Sequence, residues 1–505
     1  TSETLHSNLE KNEELKGVLL EETPWVLEAK NESEQKQQLA LLFDLNRSSQ
    51  LTAKALDKLQ ELQHNQGGWT WFKGFYPNVG ITQYILYGFT QLEELQAVDV
   101  SSDVYYMQKR AVDYIDAEAL RRFEQLKKWN KDWKNIKSIS TVDLEYMFVR
   151  MGYEEQKPDR EVRKMIDFYM DVVEKNWTGF SLYQRSLIIQ LMHNKGKDKI
   201  VNEMLASMRE HATVSDEMGM FWANNRAGVF MSQSAVSVHT FIMDAFRVTG
   251  SSVEEMDSMK RWLLKQKQTQ LWESTHATTD AVYALLSTGS DWFASEGETD
   301  ISLGSVKVEP TSKDLGTGYI KESWSKTEIV PEMGNVEVSH KGEGPAWGAL
   351  YYQYFEEMDK IEAGDGSLNV SKELFVEIND GNSKKLVQIT EKNPLKVGDK
   401  VVVRLVVRTD RDMEFVHLKD MRASAFEPVD QISKVDWMNG AIYYQTSRDA
   451  STNYYFDNLP RGTYVFEYAV YVTRSGSYSN GITTIQSMYA PEFVSHTSGV
   501  RINVK

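Results

Sequence analysis

The feature that most constrains this chain is a change in the spacing of its apolar residues near Trp292. Before this point apolar residues recur every three or four positions, which places them on one face of an α-helix. After it they recur every second position, with Asp, Asn, Gly and Pro between the runs, as is typical of half-buried β-strands. The sequence therefore predicts a helical first part and a strand-rich second part, in a multidomain α plus β fold.

The first part is predicted to be all-helical, with about a dozen helices joined by short loops. Asn31 suits a helix start, because Asn caps helix N-termini and Glu34 follows three residues later. The next apolar stripe runs from Leu51 to Leu62. Further helices are predicted at 80–96, 102–129, 140–151, 159–177, 181–194, 198–211, 231–248, 252–268 and 275–286.

A weak internal repeat indicates how these helices are arranged. A tryptophan-bearing loop precedes an apolar helix at Trp69, Trp222 and Trp272. Helical hairpins that stack in a ring would produce this pattern, because each hairpin buries one face against the next. We therefore predict an N-terminal α/α toroid followed by β-sandwich domains, with a helical solenoid as the alternative to the toroid. The candidate interaction or packing loop, whose aromatics would plug the ring, comprises Trp69, Trp71, Phe72, Phe75 and Tyr76.

The strand-rich part divides into two segments. In the first, strands are predicted at 301–308, 318–324 and 335–340, and residues 363–366 look like a hinge because they contain two glycines. In the second, long apolar runs between turn residues indicate an antiparallel β-sandwich. The strands predicted there cover 401–407, 415–418, 463–472, 481–488 and 500–504.

Composition excludes several functions. The chain of 505 residues has 57 basic and 73 acidic side chains, and its net charge of −16 opposes binding to nucleic acid and to anionic lipid. The absence of cysteine removes disulfides, thiolate nucleophiles and cysteine metal sites. Residues 1–30 lack the apolar core of a signal peptide, and no apolar run is long enough for a bilayer span. We therefore expect any export signal or anchor to lie upstream of Thr1.

No motif for catalysis, metal binding or cofactor binding is recognised. The sequence lacks His-Glu-x-x-His, a Gly-x-Ser-x-Gly elbow, a phosphate loop and a dinucleotide fingerprint. His239 and His417 lie in apolar segments, where a lone histidine is usually a hydrogen-bonded core residue. The stretch Asp410-Arg411-Asp412 has the carboxylates of a cation site, but a solvated turn is the favoured interpretation. We therefore predict no catalytic, metal or cofactor-binding residues.

An enzyme is the main alternative class. A toroid followed by β-sandwiches is also the layout of some polysaccharide lyases and glycoside hydrolases. Such an enzyme would need paired carboxylates, or a Tyr, His and Arg set, in an aromatic-lined cleft, and the loop from Trp69 to Tyr76 would supply the sugar platform. A surface scaffold is a third possibility, and it would show neither glycan turnover nor a change of shape on proteolysis.

Several segments carry a family resemblance. Residues 67–72, Gly-Gly-Trp-Thr-Trp-Phe, and the helix after them resemble the Gly-Gly-aromatic segment of the thioester-domain toroid in alpha-2-macroglobulins and complement proteins. Residues 278–286 look like the last helix of that domain. Residues 476–493, which include Ser-Asn-Gly-Ile-Thr-Thr-Ile-Gln-Ser-Met-Tyr-Ala-Pro-Glu-Phe, are similar to the closing segment of the family's receptor-binding-type macroglobulin domain. Residues 409–428 and 460–473 look like earlier strands of the same domain.

The chain thus resembles the C-terminal portion of a bacterial alpha-2-macroglobulin family protein. The resemblance implies a thioester-type toroid at 1–293, a CUB-like β-region at 294–364 and a terminal macroglobulin domain at 365–505. It also implies a non-catalytic protease trap with a role in host defence, whose partners are proteases and the upstream macroglobulin domains. The full-length protein would be periplasmic and anchored to the membrane by an upstream segment.

The family's thioester motif, Gly-Cys-x-Glu-Gln, does not occur in the chain. Its Glu-Gln pairs begin at Glu34, Glu124 and Glu155, and none follows a cysteine. Either the motif precedes Thr1 in the full-length protein or this member has no thioester, and no thioester residue is assigned here.

Overall fold

The computed structural model describes residues 45–96, 102–225, 234–269, 272, 274–288, 298–309, 320–342, 346, 348, 350–352, 356–364, 366–380, 383–389, 394–490 and 493–505. These residues fall into two compact units. The first unit contains the described parts of Thr1–Ala212, Val238–Met256 and Tyr283–Ala346. The second contains the described parts of Thr213–Ser237, Asp257–Val282 and Trp347–Lys505.

The described residues include ten α-helices, close to the bounds that the apolar spacing predicts. The predicted helix start at Asn31 lies outside the described residues. The helices are α1 (Leu45–Leu62), α2 (Val79–Glu94), α3 (Ser102–Trp129), α4 (Thr141–Met151), α5 (Arg160–Asn176), α6 (Leu182–Asn194), α7 (Asp198–Glu210), α8 (Ala235–Val248), α9 (Val253–Thr269) and α10 (Thr275–Ser287).

Local chemistry sets the start of α6. Ser181 and Gln184 form a reciprocal capping box at this position, which satisfies two backbone N–H groups.

Aromatic side chains hold helices of the first unit together. The ring of Phe241 on α8 lies 5.1 Å from that of Tyr183 and 5.3 Å from that of Tyr87. Since Phe241 is only 5% exposed, this cluster joins α2, α6 and α8.

The prediction that the first part is all-helical is wrong at one hairpin. Strands β1 (Thr213–Ser215) and β2 (Gly219–Phe221) pair antiparallel between α7 and α8. Gly219 adopts φ +71°, and a Cβ atom there would collide with the backbone carbonyl of Ser258, so the hairpin lies directly against α9. Two strands of three residues each carry too little alternation to be recognised in a sequence.

The segment after the helices contains a small antiparallel sheet of β3 (Glu298–Leu303), β4 (Val306–Lys307) and β5 (Val336–Lys341), in the order β4-β3-β5. The strand predicted at 335–340 is therefore present, whereas the single strand predicted at 301–308 is divided by a turn at Gly304 and Ser305 into the end of β3 and β4. The strand predicted at 318–324 is wrong over its described part, because 320–324 has no strand conformation and pairs with no described strand. Alternation alone does not make a strand where a neighbouring backbone is lacking.

The C-terminal segment is a two-sheet sandwich, as predicted. One sheet has five strands in the order β10-β14-β8-β6-β7, and the other has six in the order β11-β12-β13-β9-β16-β17. Strands β15 and β18 form a further pair. The bounds are β6 (Leu368–Asp380), β7 (Ser383–Gln388), β8 (Lys400–Thr409), β9 (Met413–Met421), β10 (Phe426–Pro428), β11 (Lys434–Met438), β12 (Ala441–Ser447), β13 (Ser451–Leu459), β14 (Gly462–Val472), β15 (Gly476–Ser479), β16 (Thr483–Ser487), β17 (Val494–His496) and β18 (Arg501–Val504).

Alternation along β8 and β14 builds the core of this sandwich. Phe466 on β14 pairs with Leu405 on β8, and both side chains are almost completely buried. The ring of Phe466 meets that of Tyr443, on β12 of the other sheet, edge to face at 5.2 Å. Each such buried side chain contributes roughly 1.5–3 kcal/mol of hydrophobic free energy, so contacts of this kind hold the two sheets together.

A buried ion pair also joins the two sheets. Lys372 on β6 and Asp420 on β9 approach to 2.7 Å, with side-chain exposures of 5% and 0%. Asp420 also accepts hydrogen bonds from the hydroxyls of Tyr468 at 2.5 Å and Thr483 at 2.6 Å. The carboxylate is therefore both paired and hydrogen-bonded, which offsets the cost of burying its charge.

Among the described residues, no helix is both long and apolar enough to cross a bilayer. The mixed α and β multidomain architecture is confirmed. Closure of the helices into a ring stays a prediction, as do the domain limits 1–293, 294–364 and 365–505.

Candidate functional site

The predicted aromatic loop lies between α1 and α2 in the first unit and is anchored by Trp69. This side chain is 1% exposed, and its indole N–H donates a hydrogen bond of 2.8 Å to the carbonyl of Leu59. Its backbone N–H donates to Oγ1 of Thr82 at 2.9 Å. Trp69 is therefore a packing residue that ties the loop to both flanking helices.

Two glycines press the base of the loop against α3. Gly67 adopts φ +99°, and a Cβ atom there would collide with the backbone carbonyl of Arg110. A Cβ atom at Gly68 would lie 2.6 Å from the ring of Tyr114. The hydroxyl of Tyr114 in turn donates to the carbonyl of Pro77 at 3.0 Å, at the far end of the loop. The Gly-Gly pair is thus required by close approach, which explains its place before the aromatic run.

The other four aromatic side chains of the loop are exposed. Trp71 is 60% exposed, Phe72 67%, Phe75 63% and Tyr76 86%. The rings of Phe72 and Phe75 meet edge to face at 5.8 Å, across a turn in which the N–H of Phe75 donates to the carbonyl of Phe72. The structure therefore separates the five residues: one is buried in the base of the loop, and four form its exposed tip.

Charged residues beside the loop form an exposed cluster. Glu61 on α1 accepts from Lys58 at 2.8 Å and from Lys73, within the loop, at 2.5 Å. Hydrogen bonds from Lys58 and then Lys73 lower the pKa of Glu61 to about 2. Glu61 is therefore a charged partner of two lysines at neutral pH and cannot act as a general acid there.

The other tryptophans of the weak repeat lie in the second unit. Trp222 is 1% exposed and follows β2, and Trp272 is half-buried between α9 and α10. Lys267 lies 5.7 Å from the ring centroid of Trp272. Both side chains are partly or fully packed, whereas the tip of the loop in the first unit is open to solvent.

The histidines singled out by the sequence occupy packed positions. His239 is fully buried in α8. His417 lies in β9, with Nε2 3.1 Å from Oδ1 of Asn453, and its ring stacks on Tyr455 at 4.7 Å. His417 is thus a hydrogen-bonded histidine, as expected. No group of three His, Asp or Glu side chains suited to a metal ion occurs in the described part of the chain.

The interpretation of Asp410-Arg411-Asp412 as a solvated turn holds for the two aspartates, which are exposed, but is wrong for Arg411. Arg411 is only 6% exposed and forms ion pairs with Asp410 and with Glu217. Arg411 and Glu217 lie far apart in the sequence, so the spacing of residues could not predict their ion pair.

Sequence reasoning also missed a buried titratable pair in the second unit. Asp280 on α10 is 2% exposed, and its Oδ2 lies 3.5 Å from Nε2 of His276. Burial raises the pKa of Asp280 to about 7 and lowers the pKa of His276 to about 4. The signal was present in the sequence, since a carboxylate on an apolar helix face must be buried. Because Asp280 is inaccessible to solvent, we assign it to the packing of α10 and not to a site.

The chain is therefore a multidomain protein with helical and β-sandwich parts, and four aromatic side chains of the loop in its first unit are exposed. Residues 368–492 match the family model described as the bacterial alpha-2-macroglobulin MG10 domain. Residues 368–492 are therefore a domain of the bacterial alpha-2-macroglobulin family.

Solved structures of that family are also similar to this chain. Trypsin-activated alpha-2-macroglobulin from Escherichia coli is 13% identical, with 89% of this chain and 29% of that chain covered and a TM-score of 0.40. The native Escherichia coli protein from domain MG7 to the C-terminus is 13% identical, with 92% and 68% covered and a TM-score of 0.34.

A curated relative gives a shorter match. Circularly permutated Ras protein 2 from Dictyostelium discoideum is 25% identical over 209 residues, which is 39% of this chain and 5% of that protein. The chain thus spans only a small part of this relative, and under a third of the trypsin-activated structure.

Proposed function

We propose that this chain is the C-terminal part of a bacterial alpha-2-macroglobulin-like inhibitor that traps proteases. The observation that carries the proposal is the MG10 match at 368–492. In this function the chain is non-catalytic and helps to enclose a protease after a bait region, in an upstream part of the full-length protein, has been cut. Its partners are the attacking protease and upstream macroglobulin domains. The full-length protein is periplasmic, anchored upstream, and serves host defence.

The physical properties of the described modules support this function. A trap needs modules that move as rigid bodies, because a module that unfolds would be digested by the enclosed protease. The sandwich has such a core around Phe466 and the buried Lys372–Asp420 pair. The exposed tip of the aromatic loop offers the kind of surface on which binding energy concentrates at protein interfaces. The chain has no cysteine, so no thioester of this chain takes part.

The test uses the full-length protein and proteases of different specificity. We expect limited cleavage to change its mobility on a native gel, because the modules rearrange. The trapped protease should keep its activity on a small chromogenic peptide and lose it on a large protein substrate, because enclosure blocks access by size. The proposal fails if several proteases cut the protein without a mobility shift or without this difference between substrates.

Binding or processing of polysaccharide is a second candidate function, favoured by the same exposed aromatics. Trp71 and Tyr76 are exposed, and aromatic rings of this kind can stack on sugars. The test incubates the chain with uronic-acid and neutral glycans and looks for reaction products and for quenching of tryptophan fluorescence. Product formation that Trp71→Ala abolishes would favour this function over the trap.

A further inference from the structure

Arg411 connects the β-sandwich to the β1–β2 hairpin within the second unit. Its Nη2 donates to Oε1 of Glu217, in the turn between β1 and β2, at 2.7 Å. Its Nε donates to Oδ1 of Asp410 at 2.8 Å, and Nη2 also reaches Oγ of Ser367 at 3.2 Å. The guanidinium lies 5.0 Å from the ring centroid of Phe493. These five residues form the Arg411 junction.

Helix α9 takes part in the same contact. The hydroxyl of Thr269, at the end of α9, donates to the carbonyl of Asp412 at 3.2 Å. Arg261, further back on α9, donates to the carbonyl of Asp216 at 2.8 Å. The hairpin therefore lies on α9, and both reach the turn between β8 and β9 through polar contacts.

An ion pair attaches the hairpin to the sandwich, and one N–H group of its arginine lacks a hydrogen-bond partner among the described residues. All three residues of β1 are exposed, and Val214 is 69% exposed, so β1 buries little apolar surface. Glu217 is 51% exposed in its side chain, whereas Nη1 of Arg411 is buried without a hydrogen-bond partner among the described residues. A contact that leaves a buried donor unsatisfied is held at a cost, and a charge pair can separate without opening a cavity.

We propose that the Arg411 junction is a releasable latch, which holds the hairpin on the sandwich in the resting protein and opens when the full-length protein rearranges after bait cleavage. The inference rests on the proposed function for its role, but the latch itself rests on the contacts above. Opening breaks the Arg411–Glu217 pair, after which both charges gain water and Arg411 keeps Asp410 as a partner.

The first test measures amide hydrogen exchange on the 505-residue chain. Glu217→Gln removes the charge on the hairpin side and leaves every sandwich residue unchanged. We expect exchange at 213–221 to accelerate roughly tenfold or more, the factor for losing one charge-assisted hydrogen bond, with β8 and β14 unaffected. The matched control is Glu467→Gln, which breaks the surface pair with Arg404 at 2.6 Å on the same sandwich and should leave 213–221 unchanged. Unchanged exchange in Glu217→Gln overturns the latch.

The second test uses the full-length protein on native gels. We expect Glu217→Gln to undergo the mobility shift at a several-fold lower extent of bait cleavage than the wild type, because one barrier to rearrangement is already removed. If the wild type shifts and the variant shifts at the same extent of cleavage, the latch has no part in the transition and is overturned. If the wild type never shifts after cleavage, the proposed trap function fails, whatever the exchange data show.

Discussion

Burial of Asp280 makes the stability of the fold depend on pH. The pKa of this carboxyl rises from 3.8 to about 7 because the folded protein surrounds it with apolar groups. The folded state therefore keeps the proton between these two pH values, whereas the unfolded chain has already lost it. The contribution of Asp280 to the free energy of unfolding is therefore largest below pH 3.8. It falls as the pH rises towards 7 and is constant above that pH.

Asp280→Asn removes this dependence because the amide stays neutral. The difference in the free energy of unfolding, variant minus wild type, should therefore rise by about 3 kcal/mol between pH 4.5 and 8. It rises because the wild type loses stability over this range, whereas the variant has no carboxyl to ionise. Urea unfolding at several pH values measures this difference. A difference that is flat across this range would contradict the neutral, buried carboxyl. His276 contributes no opposite charge in this range, since burial lowers its pKa to about 4.

Lys372 is expected to be essential for the stability of the sandwich. In Lys372→Met, the carboxylate of Asp420 stays buried with the hydroxyls of Tyr468 and Thr483 but loses its cation. An uncompensated buried charge costs about 3–5 kcal/mol, so the urea midpoint of the sandwich should fall strongly. Lys384→Met is the control, because its pair with Glu377 is largely exposed on the lysine side and should contribute at most about 1 kcal/mol. Similar losses in both variants would refute the special role of the buried pair.

The base of the aromatic loop depends on Gly67 more than on Gly74. Both residues have positive φ, but a Cβ atom at Gly67 meets the carbonyl of Arg110, whereas one at Gly74 meets open space. Gly67→Ala should therefore cost roughly 2–5 kcal/mol, and Gly74→Ala about 1–2 kcal/mol for its backbone conformation alone. Thermal unfolding followed by the helical circular dichroism signal measures both. Equal costs would show that α3 can move away from the loop.

Elements whose burial follows a simple period were predictable, and the others were not. Helices such as α3 and strands such as β14 bury one face regularly, so spacing located them. Strand β13 breaks this rule, because Ser451 to Phe456 are buried consecutively, the polar residues included. Strand β6 places Lys372 inside the sandwich, where only the partner Asp420 makes a charge acceptable. Such elements depend on contacts that a single sequence does not display.

At the scale of the molecule, sequence reasoning found the aromatic loop but not the difference among its residues. Trp69 and Trp71 are two positions apart, yet one is 1% exposed and the other 60%. The glycines at 67 and 68 press the base of the loop against α3, Trp69 is buried against α1 and α2, and the tip extends into solvent. The contact between Arg411 and Glu217 was equally hidden, since 194 positions separate the two residues.

If the trap function holds, the exposed tip should contribute to holding the enclosed protease. In the full-length protein, Trp71→Ala combined with Tyr76→Ala should leave the cleavage-induced mobility shift intact, because both side chains are exposed and carry no core contact. The amount of protease retained after washing should fall about fivefold or more, the loss expected from removing aromatic anchors at an interface. Trp129→Ala is the matched control, because Trp129 is 79% exposed at the end of α3, away from the loop sequence. Equal retention by the double variant and the wild type would show that the tip does not contact the protease, and an equal loss in the control would show that retention depends on exposed aromatics in general.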